Sequence, residues 1–408
     1  MTLPTPSVTA KDRWESLGLE ATLREALPEL ILLRRHIHRH PELSGHEQQT
    51  AALVAGELRS WGWQVREGVG RTGVVAELGP VGAPLVALRA DMDALPIEER
   101  TGLDYASIQQ GLMHACGHDI HSTVGLGVAA LLASIAEHLT ARVRLLFQPA
   151  EETAQGAAWM RAEGVMEGVQ AIFGVHVFPS LEVGSIGVRS GSLTAAAGEL
   201  EVEVLGEGGH GARPHQSTDA IWIAARVVSG LQEAISRRLD PLHPVVVSFG
   251  RIEGGKAYNV IADHVRLLGT VRCLDLEVHA QLPGWIEDTV HALCRGHGGE
   301  ARVHYRCISP PVHNDAELTE LVADVAIEAL GRSRVQWLEQ PSLGAEDFAQ
   351  LLENTRGTMF RLGVAGPGGC SPLHSNSFAP DEGCVEVGVK VLTLSLLRWM
   401  ERLSPTPS

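Results

Sequence analysis

The chain has 408 residues, 44% hydrophobic and 20% charged, an ordinary globular composition that excludes a disordered or fibrous protein and gives room for two or three domains. Acidic residues outnumber basic ones 49 to 33, for a formal charge of -16 with no dense Lys/Arg block, which disfavours a nucleic-acid or anionic-membrane surface. Six cysteines are too few for a disulfide scaffold, and no run is long and apolar enough for a leader or a membrane span, so the sequence predicts a cytoplasmic protein with reduced thiols.

Residues 1–12 and the closing SPTPS read as loose ends. From Trp14 to Trp61 the apolar spacing is helical and stops at Gly62, and short strands are expected over 63–67 and 72–79. The next stretch alternates strands and helices: an almost continuously apolar strand at 84–91, a long helix at 119–139 with Asp119 placed to cap it, a strand at 142–148, a helical stretch at 153–164 and a strand at 170–177. Apolar strands separated by helices predict a mixed, largely parallel sheet with helices on both faces, an α/β domain.

Beyond 188 the character changes to period-two alternation at 198–205, 243–250 and 264–272. Helices at 219–236 and 278–296 and a strand at 301–307 complete a β, α, β, β, α, β order. After Pro310 the first pattern returns, with a helix at 317–331, a loop at 343–354, a strand at 358–364 and a final helix near 382–400. The expected organisation is a larger α/β domain in two parts, 1–187 and 310–408, interrupted by a smaller α+β domain, 188–309.

Nineteen histidines, several beside Cys, Asp and Glu, direct attention to metal or acid/base chemistry. MHACGHDIH places Cys116 and His118 around a glycine before a long helix, a spacing that lets a thiolate and an imidazole reach one metal or two adjacent ones. QPAEE puts Glu151 and Glu152 directly after a strand, where consecutive side chains diverge and suit one ligand and one base. His176 ends the strand of GVHV, and His374 lies in LHSNSF. Taken singly, these are equally a buried cysteine, a solvated acid pair and two structural histidines. Together they offer five ligands at or after the ends of successive strands, where open α/β sheets place their sites, and five suffice for two ions with a shared bridge.

Gly68, Gly70 and Gly73 fit a dinucleotide spacing but precede a strand rather than a helix, and neither a phosphate-binding loop of the Walker type nor a GxSxG elbow occurs. In the inserted segment His210 and His215 flank a glycine-rich turn, while Asn259 and Arg272 are polar groups able to meet a substrate carbonyl and carboxylate. A capped loop and a surface arginine are the alternatives.

RADMDALPI, MHACGHD, QPAEE, GVHV, GGHGARPH, GGKAYNVI, GAEDF and LHSNSF, in this order from about residue 31 to 380, resemble the dinuclear metal amidohydrolases related to hippurate hydrolase, plant auxin-amino-acid hydrolases and thermostable carboxypeptidases, within the aminoacylase and carboxypeptidase superfamily. The resemblance implies a catalytic α/β domain with an inserted lid or dimerisation domain. It implies Cys116 as bridging ligand, His118, Glu152, His176 and His374 as the other ligands, and Glu151 as general base. His210 would reach the other subunit's site, and Asn259 and Arg272 would face substrate. Arg89 stands where the wider superfamily has a ligand histidine, which makes Asp91 a supporting residue behind the ligands. Ala262 replaces a proline common after NVI, a change in loop stiffness more than in chemistry.

The implied cofactors are two divalent ions per subunit, zinc ahead of manganese, with nickel and cobalt open. The implied activity is hydrolysis of N-acyl amino acids to a carboxylic acid and a free amino acid by a homodimer or higher oligomer, without nucleic-acid or membrane partners. A dipeptidase or metallocarboxypeptidase and a noncatalytic metal-binding scaffold are the rival readings.

Overall fold

Strand Leu85–Asp91 is buried at every position and strand Arg142–Gln148 at all but two, the pattern of strands covered on both faces. They sit in the larger of two compact units into which the chain divides, formed by the residues up to Gly191, His313–Gln340 and the residues from Gln350. The computed structural model describes residues 9–403.

This unit holds an eight-stranded sheet in the order Gln64–Val69, Gly73–Leu78, Arg142–Gln148, Leu85–Asp91, Val169–Glu182, Arg356–Ala365, Ile186–Val188, Val335–Trp337. Leu85–Asp91 runs parallel to both of its neighbours, and Val169–Glu182 is parallel to Arg356–Ala365. The Gln64–Val69 side and the Ile186–Val188 step onto Arg356–Ala365 are antiparallel. The sheet is therefore mixed with a parallel centre, as expected.

Helices Leu19–Arg39, Gln48–Ser60, His118–Ser134, Ala316–Leu330 and Cys384–Leu403 contribute to a single apolar core with the sheet. His118–Ser134 packs closely because two of its residues are glycine. A Cβ on Gly125 would lie 3.1 Å from the Phe147 ring, and one on Gly127 2.4 Å from Val389. The helix stops at Ser134 and passes into a 3-10 turn, Ala136–His138, five residues short of the expected end. At the other end of the chain, helix Ala10–Ser16 takes in residues 10–12, where loose chain was expected: Thr9 and Asp12 form a reciprocal capping box that supplies partners for the first free amides. The expected looseness of residues 1–8 and of the closing SPTPS falls outside the described residues.

The smaller unit comprises Ser192–Val312 and Pro341–Ala349. Its four-stranded antiparallel sheet has the order Val245–Gly254, His264–Cys273, Ala196–Leu205, Glu300–Ser309. Ala196–Leu205 and Val245–Gly254 run the same way with an antiparallel strand between them, which is the split βαβ arrangement expected from the element order. Inward residues such as Leu200, Val202, Val265 and Leu267 share a core with Ile223, Val227, Ile286 and Val290 of helices Ala220–Arg238 and Leu276–Gly296. Asp219 and Asp275 cap these helices with side-chain oxygens. Among the described residues no helix is long and apolar enough to cross a membrane.

Candidate metal centre

Parallel register brings the functional loops to one end of the larger sheet. Asp91 pairs with Gln148, so the chain leaves both strands together, and the Glu151–Glu152 pair follows three residues later. Cys116 and His118 approach the same place through Gly117, which has φ 82. A Cβ there would lie 2.6 Å from Val177 Cγ2, so both the backbone and the space demand glycine.

Cys116 Sγ lies 3.6 Å from His176 Nε2, while His176 Nδ1 donates to the Val177 carbonyl at 2.8 Å. His118 Nδ1 donates to Asp93, to its carbonyl at 2.9 Å and its Oδ1 at 3.1 Å. This fixes the tautomer and leaves Nε2 buried with no hydrogen-bond partner, 3.6 Å from Asp91 Oδ2, 3.8 Å from Glu152 Oε1 and 3.9 Å from Glu151 Oε2. Glu152 Oε1 is likewise buried without a hydrogen bond, 3.5 Å from His374 Nε2. His374 is held by its own backbone N–H on the Ala115 carbonyl at 2.8 Å, in the left-handed region at φ 63. A non-glycine residue adopts that conformation when its surroundings impose it.

Two of the donor groups share a residue, Cys116 with His118 and His176, and Cys116 with Glu152 and His374, the ligand atoms of each within 4.8 Å of one another; His118 also groups with Asp91 and His121, and with Glu151 and Glu152. The shared atom is the Cys116 sulfur. All five residues expected as ligands are thus brought together, and the orphaned His118 Nε2 and Glu152 Oε1 fit a pair of divalent cations, since buried polar atoms otherwise find partners.

The electrostatics point the same way. Burial and the neighbouring Glu152 push the Cys116 thiol well above its ordinary pKa, and burial also raises Glu152. Burial, His121 and Arg361 drive His176 well below the imidazole range, so it is a neutral donor. His118 moves the other way: burial is outweighed by Asp91, Cys116 and Asp93, which raise it well above the imidazole range. Burial thus opposes ionisation of the Cys116 thiol and the Glu152 carboxyl, and bound cations would favour their ionised forms.

Several expectations need correction or extension. Asp119 does not cap its helix. The cap position is Gly117, without a side-chain bond, and Asp119 is buried in an ion pair with Arg34 Nε at 2.8 Å and a hydrogen bond with His38 Nδ1 at 2.8 Å. Asp91 lies against the ligand shell, 2.6 Å from Arg89 Nη1 and 2.6 Å from His121 Nδ1. His121 is visible in the sequence as a further polar group of the MHACGHDIH turn, but no role for it could be read there. Its Nδ1 donates to Asp91 and its Nε2 accepts from the Val177 N–H at 2.9 Å, so both ring nitrogens are engaged and it orients rather than ligates. Asp93 stands beside Asp91 in the RADMDALPI segment, but the supporting role was expected of Asp91 alone. Its contact with His118 could not be read from spacing.

In the smaller unit Gly209–His210 pairs with Val260–Ile261, and His210 and Asn259 line one cavity of about 370 Å³ together with Lys256 and Asp263. Arg272 is not among its lining residues; the guanidinium turns back onto Thr270 and the Val271 carbonyl.

Residues 87–398 match the family described as Peptidase family M20/M25/M40. A "probable hydrolase" of Synechocystis sp. is 54% identical over 388 residues, covering 94% of this chain and 98% of that protein. N-acetyl-L-cysteine deacetylase of Bacillus subtilis is 40% identical over 359 residues, 88% of this chain and 85% of the relative. Among solved structures, a dinuclear metal-binding peptidase from the M20 family of Bacillus subtilis superposes with a TM-score of 0.80 at 34% identity, covering 93% of this chain and 99% of that one. Fold, donor groups and relatives define a metal-dependent hydrolase of amide or peptide bonds in small acyl-amino-acid or peptide substrates. The chain belongs to peptidase family M20/M25/M40.

Proposed function

We propose that this enzyme hydrolyses the amide bond of N-acyl amino acids, hippurate-like or N-acetylated, to a carboxylic acid and a free amino acid. The observation that carries the reading is the pair of donor groups meeting at Cys116, with a further carboxylate, Glu151, beside them but in neither. Cys116, His118, Glu152, His176 and His374 hold two divalent ions per subunit, zinc ahead of manganese with nickel or cobalt as lesser candidates, because a thiolate favours soft or borderline metals. When bound, the ions supply Lewis acidity toward the acyl carbonyl and acidify water. Glu151 takes the proton from the attacking water and passes it to the leaving nitrogen. His210, contributed by the facing subunit of a homodimer, donates to the developing oxyanion, Asn259 faces the substrate carbonyl, and Arg272 leaves its bonds to Thr270 and the Val271 carbonyl to meet the carboxylate. Asp91 steadies the ligands through His121. The free state of all six cysteines supports a reducing, cytoplasmic location.

The deacetylase relative supports an acyl substrate; the peptidase structure supports a second reading as a dipeptidase or metallocarboxypeptidase. A noncatalytic scaffold has no use for Glu151. Release of primary amine from hippurate, N-acetyl amino acids and a dipeptide panel, with zinc or manganese added, separates the three. We expect turnover of the N-acyl substrates; turnover of dipeptides alone favours the second reading, and no turnover at all the scaffold. Mixing inactive His210→Ala and Glu151→Gln chains tests the cross-subunit role: with free exchange roughly half the dimers are mixed and activity returns to about a quarter of wild type per site. Background activity after exchange demonstrated by mass would remove His210 from the partner's site.

A further inference from the structure

The short segment that carries Glu151 and Glu152 departs from ordinary backbone at both ends. Ala150 has φ 52 and Ala154 φ 53, the left-handed region that a residue with a side chain enters under constraint. At the Ala150 end the constraint comes from two buried acids outside the ligand set. Glu47 Oε1 accepts from the Ala150 N–H at 2.9 Å and the Gly45 N–H at 2.8 Å, and its Oε2 accepts from the Thr72 hydroxyl. Asp93 Oδ1 accepts from the Glu151 N–H at 3.1 Å, and Oδ2 accepts from the Glu152 N–H at 3.0 Å and the Ser44 hydroxyl at 2.7 Å. The same Oδ1 receives His118 Nδ1 at 3.1 Å. Three successive amides, 150, 151 and 152, therefore end on two carboxylates that are 0% and 1% exposed.

We propose that Glu47 and Asp93 are positioning residues for the general base: together they clamp the 150–152 backbone, and Asp93 ties that clamp to the His118 ring, so base and ligand are set in one register. The proposal rests on Glu151 as base. Only a carboxylate can serve at 93, because an asparagine must turn its NH₂ toward either the Glu151 or the Glu152 amide, donor against donor. At 47 the demand is weaker. Both backbone donors converge on one oxygen, and a glutamine can keep them while its NH₂ faces the Thr72 hydroxyl, which can accept.

The variants are compared at saturating zinc on the best N-acyl substrate of the panel above. Asp93→Asn should lower kcat by about 10- to 100-fold, the range seen when partners of metal ligands are lost, with KM little changed and two ions per chain retained. Glu47→Ala should lower kcat, and Glu47→Gln should restore most of it. In a Glu151→Asp background, where the base is already displaced, Asp93→Asn should cost far less than in wild type, since residues acting through one another are not additive. Equal fractional losses in both backgrounds, or wild-type kcat in Asp93→Asn, would overturn the proposal. If Asp93→Asn does not fold, the Glu47 pair decides, and equal kcat in Ala, Gln and wild type counts against the clamp. Failure of the base reading itself shows separately, as an active Glu151→Gln enzyme.

Discussion

Two buried polar clusters flank the start of helix His118–Ser134, and they are built on opposite terms. In the first, Asp119 meets Arg34 and His38, His38 Nε2 lies 3.2 Å from Glu99 Oε1, and Arg34 Nη1 reaches Glu382 at 3.2 Å. Asp119 Oδ1 is left without a hydrogen bond there too, but each charged group faces one of opposite sign within the protein. In the second, one residue earlier, His118 Nε2 and Glu152 Oε1 are left without hydrogen bonds beside a thiol whose ionisation burial opposes. Burial alone does not mark a site, since both clusters are buried. What distinguishes them is whether the protein completes its own electrostatics, and the open cluster is the one that needs a cation.

Substitutions that break each cluster should fail in different ways. The largest effect is expected in the open one. Glu151→Gln should keep both metals and the fold yet lose about 100- to 10,000-fold in kcat, the usual contribution of a general base; metal analysis paired with turnover checks this, and an active variant would exclude Glu151. Cys116→Ala should lose or scramble at least one ion per chain at unchanged secondary structure, and retention of two ions at wild-type affinity would make the cysteine merely structural.

In the closed cluster the loss is stability. Asp119→Ala strands Arg34 and His38 in the core and should cost about 3–5 kcal/mol in denaturant unfolding, while the folded fraction still binds two ions. A mild variant would show that the cluster is not balanced as described. Chelation sharpens the contrast from the other side. Removing ions whose free concentration is a hundred times their Kd should withdraw about 2.7 kcal/mol per site, roughly twice that for the two sites of the wild type, and less from Cys116→Ala.

The smallest expected effect is in pH dependence. Burial works against a charged His38, but Asp119 and Glu99 outweigh it and raise its pKa. A raised folded value means the stabilisation is complete below the unfolded value of about 6.5 and fades as pH rises through the folded one. The gap in urea midpoint between wild type and His38→Gln should therefore be wider at pH 6 than at pH 9; an equal gap at both would deny the shift. Asp119 has the opposite sign. Burial is outweighed by Arg34 and His38, its pKa is held far below the carboxylate range, and its contribution is lost only as acid falls below about pH 4.

The same two clusters show how far the sequence could be read. The period-two strands and capped helices of the smaller unit, and the apolar strands of the larger, declare themselves because burial on one face or two sets the residue pattern directly. The candidate site was legible because Cys116 and His118, and Glu151 and Glu152, are close in sequence and His176 and His374 sit in recognisable motifs. The supporting residues were not. Asp119 looked like a helix cap from its position, but its partners Arg34 and His38 lie more than eighty residues away. Asp93, Glu47 and His121 act through contacts that only the folded register creates, and single acids or histidines carry no pattern of their own. Gly117 is the intermediate case: its glycine was visible, but the reason for it, Val177, was not.

The central claim is that one sulfur serves two ions. It is tested most directly by anomalous diffraction at the zinc edge from zinc-loaded crystals. Two peaks about 3.5–4 Å apart, both within bonding distance of Cys116 Sγ and one on each side of it, are expected, with His118 and His176 around one and Glu152 and His374 around the other. A single peak, or two peaks with the Cys116 sulfur bound to neither, would contradict the account.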